Sequence, residues 1–277
     1  MNQHLIDEYR LATQKGYTLG AFNVFNMLTA EAVVQASNEL SLPVIIQMST
    51  STVKSLGIQK ALSIFNTVCI DAKQTVMLHL DHCTDVSFAK ECIDAGWKSI
   101  MFDGSSLSFE ENVRMTREVV AYAKGKDVLV EGEIGVIQGV DDGVSEDYTR
   151  IASYDEVAQF FKETDVDTVA PSIGTAHGLY EGVPTLNFEL VEELVQQKIG
   201  PLVIHGGTGL SDDVFQRLVH LGVAKINVST AIKHAYLDTM KEIVLSDLVY
   251  NPLDYDQKII AGVKKVVVHH MTTFSGR

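Results

Sequence analysis

Three histidines follow short apolar runs and stand beside glycine or aspartate. They are His82 in Leu78-His-Leu-Asp-His82, His177 in Ile173-Gly-Thr-Ala-His-Gly178 and His205 in Val203-Ile-His-Gly-Gly-Thr-Gly209. Neutral imidazole is the commonest protein ligand for zinc, and a catalytic zinc keeps three protein ligands and one open position. Each preceding run is short, rich in Val, Ile, Leu or Ala and ended by Gly or Asp, so it reads as a buried parallel strand. A β/α barrel delivers side chains from several strand exits to one place, its C-terminal rim. One such histidine is more often a hydrogen-bonded core or loop residue; three in equivalent positions point to a metal.

Asp81 directly precedes His82. A carboxylate beside a bound metal can exchange a proton with a coordinated hydroxyl, or it can orient a histidine ligand from behind. In a regular strand Asp81 and His82 face opposite ways, so both reach the site only if the strand ends there. Asp103 in Phe102-Asp-Gly-Ser-Ser106 and Glu133 in Val130-Glu-Gly-Glu-Ile-Gly135 stand at expected exits of the fourth and fifth strands. There they would take a second cation or bind a zinc that shifts; a solvated charge or a cap is the plain alternative. Gly178, Gly206 and Gly207 let backbone amides approach an anion, and Thr208, Asn227, Ser229 and Thr230 add further donors. Loops after the seventh and eighth strands of a barrel often hold phosphate, although ordinary turns look similar. Residues 136–148 form a glycine-punctuated acidic loop, either a lid able to deliver Asp141 or Asp142 or a solvated loop. His4, His79, His220, His234, His269 and His270 read as structural or surface residues, and Cys83 as a packing thiol.

The elements that must position these groups follow from periodicity. Strands are expected at 18–24, 43–48, 75–80, 99–102, 128–131, 168–171, 202–204 and 225–228. Helical patterns lie between them, as at 29–41, 109–124, 155–164 and 212–221. Eight alternating units imply an α/β fold closed as a (β/α)8 TIM barrel, with an extra N-terminal helix before Gly16 and a C-terminal helical extension after about Leu253. A doubly wound open sheet is the runner-up, but no Gly-x-Gly-x-x-Gly follows the first strand.

The 277 residues contain no Pro/Ser-rich linker, so residues 1–277 read as one domain. Net charge is −14, which argues against binding nucleic acid or an anionic membrane. Three cysteines without Cys-x-x-Cys spacing fit a reducing cytoplasm. Neither a signal peptide nor a membrane span is evident.

Together these segments resemble the class II, zinc-dependent ketose-bisphosphate aldolases, the family of fructose-1,6-bisphosphate and tagatose-1,6-bisphosphate aldolases. The resemblance runs almost end to end: Gly20-Ala-Phe-Asn23, Leu78-His-Leu-Asp-His82, Phe102-Asp-Gly-Ser105, Phe109-Glu-Glu-Asn112, Val130-Glu-Gly-Glu-Ile-Gly135, Ile173-Gly-Thr-Ala-His-Gly-Leu-Tyr180, His205-Gly-Gly-Thr-Gly209 and Lys225-Ile-Asn-Val228. It implies that His82, His177 and His205 hold zinc and that Asp103 and Glu133 serve a second divalent position. Asp81 would take a proton from the substrate's C4 hydroxyl while the metal polarises the carbonyl. Gly178, Gly206, Gly207, Thr208, Asn227, Ser229 and Thr230, with Asn23 and Ser49, would hold a phosphorylated ketose beside a monovalent cation, Na+ or K+. A homo-oligomer, dimer or tetramer, is the family's habit.

Departures from the family pattern bear on the substrate. The loop acid is normally glutamate, and the matching residue here is Asp141; Thr208 replaces serine, and Ser229 and Ala231 replace positions that are often acidic. The family often has Asp-Pro-Arg near its C-terminus, where this chain has Asn251-Pro-Leu-Asp-Tyr-Asp-Gln257. Loss of the arginine fork puts a distal phosphate in doubt and opens tagatose bisphosphate, inositol-derived or sulfonated ketose phosphates. A non-catalytic sugar-phosphate-binding subunit and a barrel metallohydrolase are the competing classes. A Schiff-base aldolase is disfavoured because Thr168-Val-Ala-Pro171 carries no lysine.

Overall fold

The structure is a computed structural model that describes residues 3–141, 144–146, 148–178, 182, 184–246 and 251–276, with backbone alone at 3, 4, 140, 141 and 144–146. Helix α1 (Gln3–Lys15) precedes β1 (Leu19–Asn23), α2 (Met27–Leu40), β2 (Val44–Ser49), α3 (Thr50–Leu56), α4 (Ile58–Val68) and β3 (Val76–Cys83). Next come α5 (Val86–Ala95), β4 (Ser99–Phe102), α6 (Phe109–Lys124), β5 (Leu129–Ile134), β6 (Gly139–Asp141) and β7 (Val144–Glu146). The chain then adds α7 (Tyr154–Thr164), β8 (Thr168–Pro171), α8 (Phe188–Gln196), β9 (Val203–Ile204), α9 (Asp212–Leu221), β10 (Lys225–Val228), α10 (Thr230–Leu245) and α11 (Pro252–Phe274).

Eight strands pair in parallel in the order β8-β5-β4-β3-β2-β1-β10-β9, and a parallel bridge between Val169 and Leu202 closes the ring. This is the (β/α)8 barrel expected from the alternation. Successive strand residues point alternately inward and outward, so two cores form. Outside, Phe22, Trp97, Phe102, Phe160 and Phe215 fill the layer between strands and helices. Inside and below, Tyr9 and Ala12 of α1 pack on Leu19, Ala21, Ile45, Met77, Leu129 and Ala224, plugging the bottom of the barrel.

The helices start where the sequence offers caps. Asn26 and Thr29 form a capping box at α2, Ser153 and Glu156 another at α7, and Asp85, Ser108, Asn187 and Ser211 cap α5, α6, α8 and α9. Each such cap is worth about 1 kcal/mol. Gly222 ends α9 in the left-handed conformation, as expected. Among the described residues no helix is long and apolar enough to cross a membrane.

Three expectations are corrected. β3 runs to Cys83 and β5 to Ile134, so Asp81, His82 and Glu133 lie within strands and not beyond their ends. The ladder continues there because inward positions near the rim are polar, which ends the apolar run but not the hydrogen bonding. Residues 136–148 are not a structureless loop: β6 and β7 form an antiparallel hairpin, closed at its base by a bridge between Val136 and Arg150.

Candidate active site

A bulge in β3 solves the problem of two adjacent residues facing one site. Leu80 pairs with Ile100 and Cys83 with Phe102, so three steps on β3 oppose two on β4. His82 takes up the extra residue at φ +47°, left-handed territory that costs a non-glycine residue about 1–2 kcal/mol. Both Asp81 and His82 are buried at the barrel mouth.

His82, His177 and His205 converge, their ligand nitrogens all within 4.8 Å of one another. The His82 and His205 rings meet edge to face at 4.7 Å between centroids, and His82 and His177 at 5.0 Å. Carboxylates behind two of the rings decide which nitrogen each presents. His82 Nδ1 donates to Asp103 Oδ2 at 2.8 Å, and His205 Nε2 donates to Glu131 Oε1 at 2.9 Å. The remaining nitrogens, His82 Nε2 and His205 Nδ1, face each other at 3.1 Å. Two facing lone pairs repel unless a proton or a metal cation lies between them, so this donor set fits a divalent metal.

Asp103, Glu133 and His82 form a second group with metal-ligand spacing. Asp103 is buried and also accepts from Ser105 Oγ at 2.6 Å. Burial favours its neutral form, but His82 and Ser105 outweigh it and hold the carboxyl well below the usual range. Burial likewise opposes charge on His82, yet Asp81, Asp103 and Glu133 hold its imidazole well above the ordinary value. Glu133 is pushed the other way, well up, by burial and then by the charge of Asp103. Its Oε2 is buried without a hydrogen-bond partner, 3.5 Å from His205 Nδ1. A carboxyl in that position ionises readily only beside a cation, which again fits a metal.

Asp81 is fully buried and gripped by amides. Asn23 Nδ2 donates to Oδ2 at 2.9 Å, Gln47 Nε2 to Oδ2 at 3.4 Å, and Asn227 Nδ2 to Oδ1 at 3.2 Å. Beside this group, His177 and seven expected phosphate-site residues line one shallow recess: Gly178, Gly206, Gly207, Thr208, Asn227, Ser229 and Thr230. Thr208 Oγ1 also accepts the Ala231 N–H, tying the β9 loop to α10. Ser49 stands apart from that recess. Its Oγ accepts from Thr52 N–H and donates to Thr52 Oγ1, so it caps α3. Asn23 also lies outside the recess and serves Asp81. The side chain of Asp141 and the whole of Asp142 fall outside the described residues.

Three residues beneath the rim, Glu131, Lys225 and Gln47, escaped the sequence reading, and His79, read as structural, packs with them. Glu131 sits under His205 and pairs through Oε2 with the buried Lys225 Nζ at 2.9 Å. His79 Nδ1 lies 2.7 Å from Ser99 Oγ, and Gln47 holds both Asp81 and Asn23. The signal that marks them is period two: Gln47–Ser49, His79–Asp81, Glu131–Glu133 and Lys225–Asn227 are polar pairs on one strand face. Lys225 is a buried barrel lysine, but its ammonium is committed to Glu131.

The family model described as fructose-bisphosphate aldolase class-II matches residues 4–277. The chain belongs to that family. Class II aldolases are metal-dependent aldehyde-lyases of phosphorylated sugars, and this chain is one of them. It is 37% identical over 246 residues to the sulfofructosephosphate aldolase of Alkalicoccus urumqiensis, covering 88% of this chain and 84% of the relative. It is 39% identical over 254 residues to the 6-phospho-5-dehydro-2-deoxy-D-gluconate aldolase of Halalkalibacterium halodurans, covering 91% and 87%. The crystal structure of the YdjI aldolase from Escherichia coli K12 superposes with a TM-score of 0.85 at 28% identity, covering 98% of this chain and 96% of that one. The class II aldolase fold therefore spans all the segments that build the site.

Proposed function

We propose that this aldolase uses zinc, held by His82 Nε2, His205 Nδ1 and His177, to cleave a ketose 1-phosphate or 1,6-bisphosphate reversibly into dihydroxyacetone phosphate and an aldehyde. The observation that carries the reading is the pair of ring nitrogens left facing each other while Asp103 and Glu131 hold the opposite nitrogens of the two rings as N–H donors. When bound, the metal supplies Lewis acidity and withdraws charge from the carbon left by C–C cleavage.

The protein's own groups do the rest. Asp81 accepts the proton of the substrate's C4 hydroxyl, and Asn23, Gln47 and Asn227 orient its carboxylate for that transfer. The recess of Gly178, Gly206, Gly207, Thr208, Ser229 and Thr230 holds the phosphate through amides and hydroxyls, a monovalent cation lying beside it. Asp141 returns a proton to the new carbanion from the hairpin. Asp103 and Glu133 provide the second divalent position.

Residues 251–257 offer no arginine fork for a second phosphate. Two relatives named for sulfofructose phosphate and 6-phospho-5-dehydro-2-deoxy-D-gluconate show how the far end varies in this family. That favours an aldehyde half read by something other than that fork. The reading extends to one domain over residues 1–277, a homo-oligomer, and the reducing cytoplasm, the last supported by free thiols at Cys69, Cys83 and Cys92.

Condensation of dihydroxyacetone phosphate with a panel of aldehydes, with and without chelator, tests the activity and ranks the far ends. Asp81→Ala is expected to keep its zinc and lose most turnover. Zinc-loaded protein that releases no triose phosphate from any ketose phosphate would sink the reading.

A further inference from the structure

The position of His177 needs a separate explanation. β8 ends at Pro171, so His177 is carried by a loop and not by the barrel ladder. It is also the half-buried member of the triad. Two glycines lie against the backbone of that loop. Gly139, the first residue of the hairpin, has φ +115°, and Gly206, next to His205, has φ +70°.

A Cβ on Gly139 would collide with the His177 carbonyl oxygen and lie 3.0 Å from both its C and its N. A Cβ on Gly206 would collide with the Ala176 carbonyl oxygen and lie 2.9 Å from its C. On the Gly139 side hydrogen bonding completes the contact. His177 N–H donates to Gln138 O at 2.8 Å, and Gln138 pairs in parallel with Ala176. Hairpin base, His177 loop and His205 loop therefore stack backbone on backbone.

We infer that Gly139 is a positioning residue for the metal centre, through which the hairpin clamps the His177 loop in ligand position. A side chain at 139 cannot fit without pushing the His177 peptide away, and moving that peptide moves the imidazole. The base of the hairpin that bears Asp141 and the third metal ligand are one mechanical unit. The inference rests on the zinc reading given above.

Gly96 provides the matched control. Its φ of +114° equals that of Gly139 within a degree, it ends α5, and nothing lies within 4 Å of where its Cβ would be. Gly139→Ala and Gly96→Ala both put an alanine at a φ near +115°, and only the first meets His177. Metal-free full-length wild type and both variants are titrated with Zn2+ against a competing chromophoric chelator, and their metal-free thermal unfolding is recorded. Gly139→Ala is expected to bind zinc about ten- to a hundredfold more weakly, the usual loss when a group that orients a ligand is removed. Gly96→Ala is expected to match wild type in zinc affinity, and both variants are expected to show a cooperative metal-free unfolding transition.

Equal zinc affinity in the two variants would overturn the inference. So would a Gly139→Ala chain that fails to fold without metal while Gly96→Ala folds, because glycine would then serve the fold and not the site. Absence of saturable zinc binding by wild type would remove the zinc reading, and this inference with it.

Discussion

Glu131 shows how a side chain placed behind a candidate metal ligand can decide chemistry. It accepts His205 Nε2–H on one oxygen and the Lys225 ammonium on the other. Burial would raise its carboxyl, but Lys225, His79 and His205 keep it well below the usual range. Glu131→Gln is expected to weaken zinc binding about ten- to a hundredfold, because the amide no longer enforces the tautomer that presents Nδ1. It also leaves Lys225 buried and unpaired, at a cost of about 3–5 kcal/mol in urea unfolding. Adding Lys225→Met should recover most of that stability and none of the metal affinity. Recovery of both would show that Glu131 acts through the fold alone. The thiols make a second case. Burial pushes Cys92 up to about 12 and Cys69 to about 11, and raises Cys83 as well. All three stay protonated near neutrality, and the thiolate fraction grows about tenfold per pH unit below those values. Iodoacetamide should therefore label the native protein at pH 7 far more slowly than the unfolded chain; equal rates would contradict the burial.

At the scale of the element, the bulge in β3 is the decisive device. One extra residue between Leu80 and Cys83 turns His82 onto the face that Asp81 already occupies. Its φ of +47° predicts an order of stability among variants that all lack the imidazole. His82→Gly should be more stable than His82→Ala by about 1 kcal/mol, since only glycine adopts that backbone freely. The reverse order in metal-free denaturant melts would mean that the strand is regular and the bulge absent. The strand alternation expected from sequence places every site segment, but polar inward residues shortened two of the expected strands. The apolar pattern reports burial against the outer helices, whereas the inner face of β3 and β5 faces charge.

At the scale of the molecule, α11 returns to the first strand and locks the ring. Phe274 packs edge to face on Phe215 at 5.0 Å, and its carbonyl oxygen accepts the Thr18 N–H at 2.9 Å. Phe274→Ala should destabilise by about 3–5 kcal/mol in urea unfolding, the loss expected for a buried aromatic ring. A loss below about 1 kcal/mol would show the C-terminal helix to be an appendage. Much of this architecture was legible beforehand. The order of strands and helices, the caps, the three histidines, Asp81 and the glycines of the recess all rest on local patterns, and local patterns are written in neighbouring residues. What the fold alone decided is non-local. The bulge depends on register between β3 and β4, the tautomers on carboxylates 21 and 74 residues away, and the His177 clamp on three loops stacking. Contacts across a closed barrel are set by shear and strand order, which no single segment encodes.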